Sequence, residues 1–324
     1  MTTMTETPGT PGSTGAAPVL EARGVTMRFG GLTAVDGVDL TVGEREIVGL
    51  IGPNGAGKTT FFNCLTGLYV PTSGEVRYQG EVLPSKPHKV TQAGIARTFQ
   101  NIRLFANMTV LENVMVGRHC RTKEGLFSAI GRGPRYRAAE RDARDNAREL
   151  LDFLGIGKHS GSLARNLPYG DQRKLEIARA MASDPGLILL DEPTAGMNPQ
   201  ETRATQETVF KIRERGLAVV VIEHDMRFIF NLCDRVAVLV QGRKLVEGTS
   251  AVVQADERVI AAYLGTPFEG NGAAGVAEVE VEAVAEVEAP AETEVAAEAE
   301  ADVAAEGEAT AAAVEADQSE GTAS

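Results

Sequence analysis

Cysteine is scarce: Cys64, Cys120 and Cys233 are the only three in 324 residues. They are too few and too scattered for a disulfide framework or a zinc site, and they read as buried or incidental thiols of a reducing compartment. No apolar run approaches the roughly 18 residues needed to span a bilayer, so the protein reads as soluble and any membrane role has to come through a partner. The first residues are rich in Thr, Pro and Gly, where a signal peptide needs a basic start and an apolar centre. Residues 1–18 read as a disordered segment. After Phe268 the sequence has no Lys, no Arg and no aromatic residue, yet sixteen Asp or Glu stand there among Ala and Val. Removing those sixteen charges from the formal −13 leaves about +3 for residues 1–268. The low isoelectric point therefore describes the tail 269–324 and gives no ground for choosing partners. That composition cannot bury a core, and the tail reads as disordered.

What is present is organised around Gly52-Pro53-Asn54-Gly55-Ala56-Gly57-Lys58-Thr59-Thr60, which reads G-x-x-x-x-G-K-T. An apolar run, residues 46–51, precedes it and suits a buried parallel strand. Residues 60–65 follow as a helix that closes near Gly67. Strand, glycine loop and helix together let backbone N–H groups curl around phosphate, with the helix N-terminus adding partial positive charge. In this arrangement Lys58 reaches the β- and γ-phosphates and the Thr59 hydroxyl holds Mg²⁺. The bland alternative is a glycine-rich turn with no ligand.

Along the chain, residues 19–28 and 36–42 read as strands joined through Phe29-Gly30-Gly31, and residues 75–78 as another. A Pro-rich turn runs from Pro84 to Pro87. Residues 95–100 look like a strand ending in a polar loop. Residues 109–155 are helical in pattern, and 118–148 carry nine Lys or Arg against four Asp or Glu. This basic stretch is either a face toward a membrane-bound partner or anionic headgroups, or a solvated helical face. Residues 171–183 put Leu175, Ala178 and Met181 or Ala182 on one helical face. Residues 187–190 and 217–222 are two more buried strands, the first ending in Asp191-Glu192 and the second in Glu223-His224-Asp225. Between them lies a polar helix, 200–215, closed by Gly216. A hairpin around Gln241-Gly242 and a helix near 256–264 finish the domain. The expectation is an α/β domain over 19–268, interrupted by a helical insert at about 105–182.

The carboxylates at the strand end form the second half of a site. Asp191 can hold Mg²⁺ directly or through water, and Glu192 beside it can polarise an attacking water. The structural alternative is an N-capping Asp ahead of the next helix, which Pro193 also suits.

In this order the pieces resemble the nucleotide-binding subunit of an ABC transporter, over residues 19–266. Four more match. Phe29 sits where the family stacks an aromatic ring on adenine, and Gln100 where it senses Mg²⁺ and the transmembrane partner. Leu167-Pro168-Tyr169-Gly170-Asp171-Gln172-Arg173 resembles the signature L-S-G-G-Q-Q-R, and His224 the switch histidine at the γ-phosphate. His88, His119 and His159 have no such match. Arg97-Thr98-Phe99-Gln100-Asn101, Ile222-Glu223-His224-Asp225-Met226 and Ala262-Tyr263-Leu264-Gly265 resemble the ATP-binding subunit of branched-chain amino acid importers (LivG-type).

The resemblance implies a P-loop ATPase fold with an antiparallel β subdomain and an inserted helical subdomain. ATP and Mg²⁺ are the implied cofactors, with ATP contacted by Phe29, the loop Gly52 to Thr60, Asp191 and, from the opposite subunit, Tyr169, Gly170 and Asp171. Thr59, Gln100 and Asp191 are the implied metal side; Lys58, Gln100, Glu192 and His224 are the implied catalytic set. The implied partners are a second ATP-binding subunit, identical or sister, integral-membrane permeases and indirectly a solute-binding protein, at the cytoplasmic face of the membrane. No nucleic-acid partner is implied. A lipid-exporting transporter and a regulatory ATPase without a permease are the rival uses of the same cassette. Two positions depart from the family pattern: Pro168 replaces the signature serine, and Asn198 replaces an aspartate.

Overall fold

A computed structural model describes residues 17–118 and 134–264. Most of the expected N-terminal segment, the acidic tail, His119, Cys120 and the middle of the basic stretch lie outside the described residues. No described helix is long and apolar enough to cross a membrane.

Strands β1 (Leu20–Phe29) and β2 (Leu32–Val42) pair antiparallel across Gly30-Gly31. The second begins four residues earlier than the sequence suggests. Next come β3 (Ile47–Ile51), α1 (Lys58–Leu65), β4 (Ser73–Tyr78) and β5 (Glu81–Val82). The antiparallel sheet has the order β2-β1-β4-β5. Where a Pro-rich turn is expected there is also a short helix, α2 (Pro87–Ala93), with Pro at its first position, where a missing N–H costs nothing.

After β6 (Ile95–Arg97), the described chain up to β7 (Leu187–Asp191) contains no strand, only helices α3 (Val110–Arg118), α4 (Pro134–Phe153) and α5 (Tyr169–Met181), two short 3₁₀ turns and one isolated bridge between Thr109 and Leu163. Leu175, Ala178, Met181 and Ala182 are all buried, as their spacing requires. Then follow α6 (Pro199–Glu214), β8 (Ala218–Ile222), α7 (Met226–Leu232), β9 (Arg235–Val240), β10 (Arg243–Gly248), α8 (Ser250–Ala255) and α9 (Glu257–Leu264).

The core sheet runs β10-β9-β3-β8-β7-β6, parallel except for the terminal hairpin. Every residue of β3, β7 and β8 is buried, because helices and the second sheet cover both faces. Side chains alternate between two apolar clusters. Ile47, Ile51, Val219 and Val221 join the helices, while Val48, Leu50, Val220 and Ile222 join α1 and the antiparallel sheet. The register sets Leu50 and Asp191 both beside Ile222. The glycine loop and the two polar strand ends therefore leave the sheet side by side at its carboxyl edge, where open α/β sheets bind ligands.

Candidate functional site

The loop between β3 and α1 is shaped by close backbone approach. A Cβ at Gly52 would lie 2.2 Å from the Leu239 carbonyl oxygen, and one at Gly57 would lie 2.3 Å from that of Ala34. Gly57 also caps α1 with φ 89° and no side-chain cap. The first helical hydrogen bond runs from Phe61 N–H to Gly57 O. The amides of Lys58, Thr59 and Thr60 thus have no intrahelical acceptor, and no acidic residue stands in that turn. This is an anion-receiving end. Asn54, Gly55 and Thr59 are exposed, while Ala56 is buried. The Lys58 ammonium donates to the carbonyls of Gly52 (2.8 Å) and Pro53 (3.0 Å). Burial lowers the pKa of Lys58, and the charge of Glu192 works against that shift.

Glu192 follows β7 with φ 44°, a left-handed conformation rarely taken by such a residue. Its N–H continues the ladder to Ile222 O at 3.0 Å, so its side chain leaves the strand at a fixed angle. Gln100 Nε2 donates to Glu192 Oε2 at 2.9 Å. His224 Nδ1 lies 3.8 Å from Glu192 Oε1, with the imidazole largely exposed. Residues 100, 192 and 224 therefore meet at one carboxylate, near Lys58. The N-capping alternative for Asp191 is excluded. The next helix, α6, is capped by Asn198, whose side chain accepts from the amides of Gln200 and Glu201 in a complete capping box. Asn caps as well as Asp, so this departure leaves the helix start intact. Asp191 instead accepts from Arg97 Nη2 at 2.8 Å.

Two carboxylates escaped sequence reasoning. Glu223 is fully buried and accepts from the Thr194 amide and hydroxyl and the His224 amide, which ties the two strand-end loops together. Glu176 belongs to a clamp on the Gln100 loop. Arg173, 1% exposed, donates to the carbonyls of Phe99 (2.5 Å) and Gln100 (2.6 Å) and to Glu176 (2.9 Å). Glu176 accepts from the Phe99 amide at 3.1 Å. Glu223 stands in the loop after β8 and Glu176 on α5, and no signal in the sequence marks either carboxylate as buried.

Of the remaining candidates, Tyr169 reaches this clamp, its hydroxyl accepting from Arg173 Nη2 at 3.5 Å. The exposed ring of Phe29 packs edge-on against Tyr69, centroids 5.4 Å apart. Helix α5 starts at Tyr169, with Pro168 as an N-cap that supplies no side-chain bond. Tyr169 is exposed, and Gly170 sits close to the Glu201 carboxylate. Asp171 accepts from Lys174 at 3.2 Å and lies 3.7 Å from His159 Nε2. In the basic stretch, Arg118, Arg144 and Arg148 pair with Asp142, Glu140 and Asp145.

Residues 35–195 match the ABC transporter family, and residues 243–269 match the family described as branched-chain amino acid ATP-binding cassette transporter. The chain is 46% identical, over 250 residues, to the high-affinity branched-chain amino acid transport ATP-binding protein LivG of Escherichia coli strain K12, covering 76% of this chain and 98% of that protein. It is 45% identical, with the same coverage, to the corresponding protein BraF of Pseudomonas aeruginosa. A solved ADP conformation of an ATP-binding cassette of an ABC transporter superposes with a TM-score of 0.67 at 28% identity, covering 77% of this chain and all of that one. A dimeric post-hydrolysis cassette bound to ADP and phosphate gives 0.60 at 26% identity, covering 71% and 98%. With such identity across almost the full length of its relatives, the chain belongs to the ABC transporter ATP-binding family, in its branched-chain amino acid group.

Proposed function

We propose that the chain hydrolyses ATP to drive an importer of branched-chain or related amino acids, with Glu192 as the residue that polarises the attacking water. The observation that carries this reading is the meeting of Gln100, Glu192 and His224 beside Lys58. In this account the ATP phosphates lie against the open amides of α1. Lys58 exchanges the two loop carbonyls for the β- and γ-phosphates, and Phe29 stacks on adenine. Gln100 holds one oxygen of Glu192 while the other accepts from the water. The water attacks the γ-phosphorus, the bond to the bridging oxygen breaks, and ADP and phosphate leave. His224 contacts the γ-phosphate. Thr59, Asp191 and Gln100 offer the hard oxygen donors that suit Mg²⁺; among the described residues no cluster of three acidic, His or Cys side chains could hold a metal alone, so phosphate oxygens complete the set. When bound, the ion neutralises phosphate charge.

Tyr169, Gly170 and Asp171 face the nucleotide of a second ATP-binding subunit, and the pair docks on permeases at the cytoplasmic face of the membrane. A solute-binding protein joins only through those permeases. Affinity purification should recover the permease subunits, and recovery of none, with no ATP-dependent amino acid uptake on reconstitution, would refute the transport reading. The chemical step has its own test. Lys58→Ala should weaken nucleotide binding and turnover together. Glu192→Gln should keep binding and lose about 10²–10⁴-fold in turnover. Normal hydrolysis by Glu192→Gln would remove it from its role.

A further inference from the structure

The end of β6 carries a buried cation that the chemistry above does not use. The Arg97 side chain is 11% exposed, and that of its partner Asp191 is 6% exposed. Nη2 donates to Asp191 Oδ2 at 2.8 Å. Nη1 donates to Asn63 Oδ1 at 2.6 Å and reaches Thr66 Oγ1 at 3.4 Å. The guanidinium carbon lies 5.1 Å from the ring centroids of both Phe62 and Phe99. Phe62 and Asn63 belong to the helix that starts at the phosphate loop, and Thr66 is its C-cap. Phe99 leads into Gln100. The guanidinium is therefore held by the phosphate-loop helix, the Gln100 loop and the β7 carboxylate together, and cannot swing away without opening all three.

A guanidinium packed against aromatic faces stays charged and is weakly hydrated, which suits a buried ion pair. Here it pairs with Oδ2 of the carboxylate read as a metal-side residue, leaving Oδ1 as the oxygen without a donor among the described residues. The described residues supply no metal cage of their own. A divalent ion reaching this edge alone therefore meets an already paired Asp191 and too few ligands. The same ion arriving on a nucleotide brings its own phosphate oxygens.

We propose that Arg97 is a positioning residue for metal entry, the standing counter-cation of Asp191 that keeps this carboxylate closed to a divalent ion until a nucleotide delivers one. The inference rests on the reading of Asp191 as a metal-side residue. Its test is Mn²⁺ binding to the nucleotide-free protein, followed by electron paramagnetic resonance. Arg97→Gln keeps a donor toward Asp191 and removes the charge; it should bind Mn²⁺ about tenfold or more tighter than the unaltered chain. Arg97→Lys keeps the charge but not the stacked fork, and should gain clearly less than Arg97→Gln. Adding Asp191→Asn to Arg97→Gln should erase the gain. Should Arg97→Gln melt too low for the assay, millimolar Mn²⁺ should raise its melting temperature, and the double variant should lack that rise. No gain in Arg97→Gln, an equal gain in Arg97→Lys, or a gain that survives Asp191→Asn overturns the proposal. A separate arm measures how far Mn²⁺ tightens ATP binding. If Asp191→Asn leaves that effect unchanged, the metal-side reading of Asp191 has failed, and the role of Arg97 falls with it.

Discussion

Burial sets what single side chains can do in this protein. Cys64 lies inside α1, where burial pushes its thiol up to about 12. At pH 8 that leaves a thiolate fraction of about 10⁻⁴, and the thiolate is the reactive form. Cys233 is pushed up as well, first by burial and then by Asp234. Iodoacetamide at pH 8 should therefore leave both unmodified in the folded protein and alkylate both in guanidinium, as peptide mass mapping would show. A Cys64 that reacts like a free thiol in native buffer would mean that the phosphate-loop helix opens readily. Burial is also where the sequence is least legible at this scale. Lys58, Glu192 and His224 stand at positions that motif order picks out. Arg97 and Arg173 fall within family phrases, but nothing in the sequence says that both are almost wholly enclosed, a state arginine seldom adopts without a partner. At Arg97 the sequence shows the end of the apolar run Ile95-Ala96 and the nearby Phe99, but not that Phe62, far earlier in the chain, packs on the same guanidinium.

At the scale of elements, the informative contact is the one between α5 and the loop that carries Gln100. The Arg173–Glu176 pair is 1% exposed on both sides, and its hydrogen bonds end on backbone atoms of Phe99 and Gln100. Removing one partner leaves a buried, uncompensated charge, which costs about 3–5 kcal/mol; removing both is often neutral. Arg173→Met should therefore lower stability by about that amount in urea unfolding, and Arg173→Met with Glu176→Leu should recover most of it. Turnover should stay depressed in the double variant, because Gln100 has lost its anchor while stability has returned. A double variant with full turnover would reduce the clamp to packing. The elements themselves were legible where a continuous apolar run marks a buried strand, as in β3 and β8, or a long helical stretch ends at a glycine, as in α6. Short helices were not. Helix α7 has seven residues after Asp225, whose side chain accepts from the amides of Arg227 and Phe228, too few for a helical period to show. Pro87 is both a turn signal and a good first helical residue, so the sequence at α2 supports two readings that only packing separates.

For the whole molecule, net charge and length mislead together. The sequence isoelectric point is about 4.9, yet residues 1–268 carry about +3 once the sixteen acidic residues beyond Phe268 are set aside. The match to the branched-chain group ends at residue 269, and 250 residues of this chain account for 98% of LivG. The relatives therefore complete their fold without a counterpart of the last 55 or so residues. Those residues are rich in Ala, Val and Glu and have no aromatic side chain. We infer that residues 269–324 are dispensable for nucleotide chemistry and act mainly through their charge. Truncation after Phe268 should leave ATP turnover within about twofold and the melting temperature within about 2 °C, since 1 kcal/mol moves a domain of this size by roughly 2–4 °C. The pH of least solubility should move from near 4.9 to above neutrality, because solubility is lowest where net charge vanishes. A solubility series from pH 4 to 9 on both forms, beside calorimetry and turnover, separates the outcomes. A large fall in melting temperature or turnover would show that the tail contributes to the fold after all. An unmoved solubility minimum would show that its charge does not govern the behaviour of the molecule.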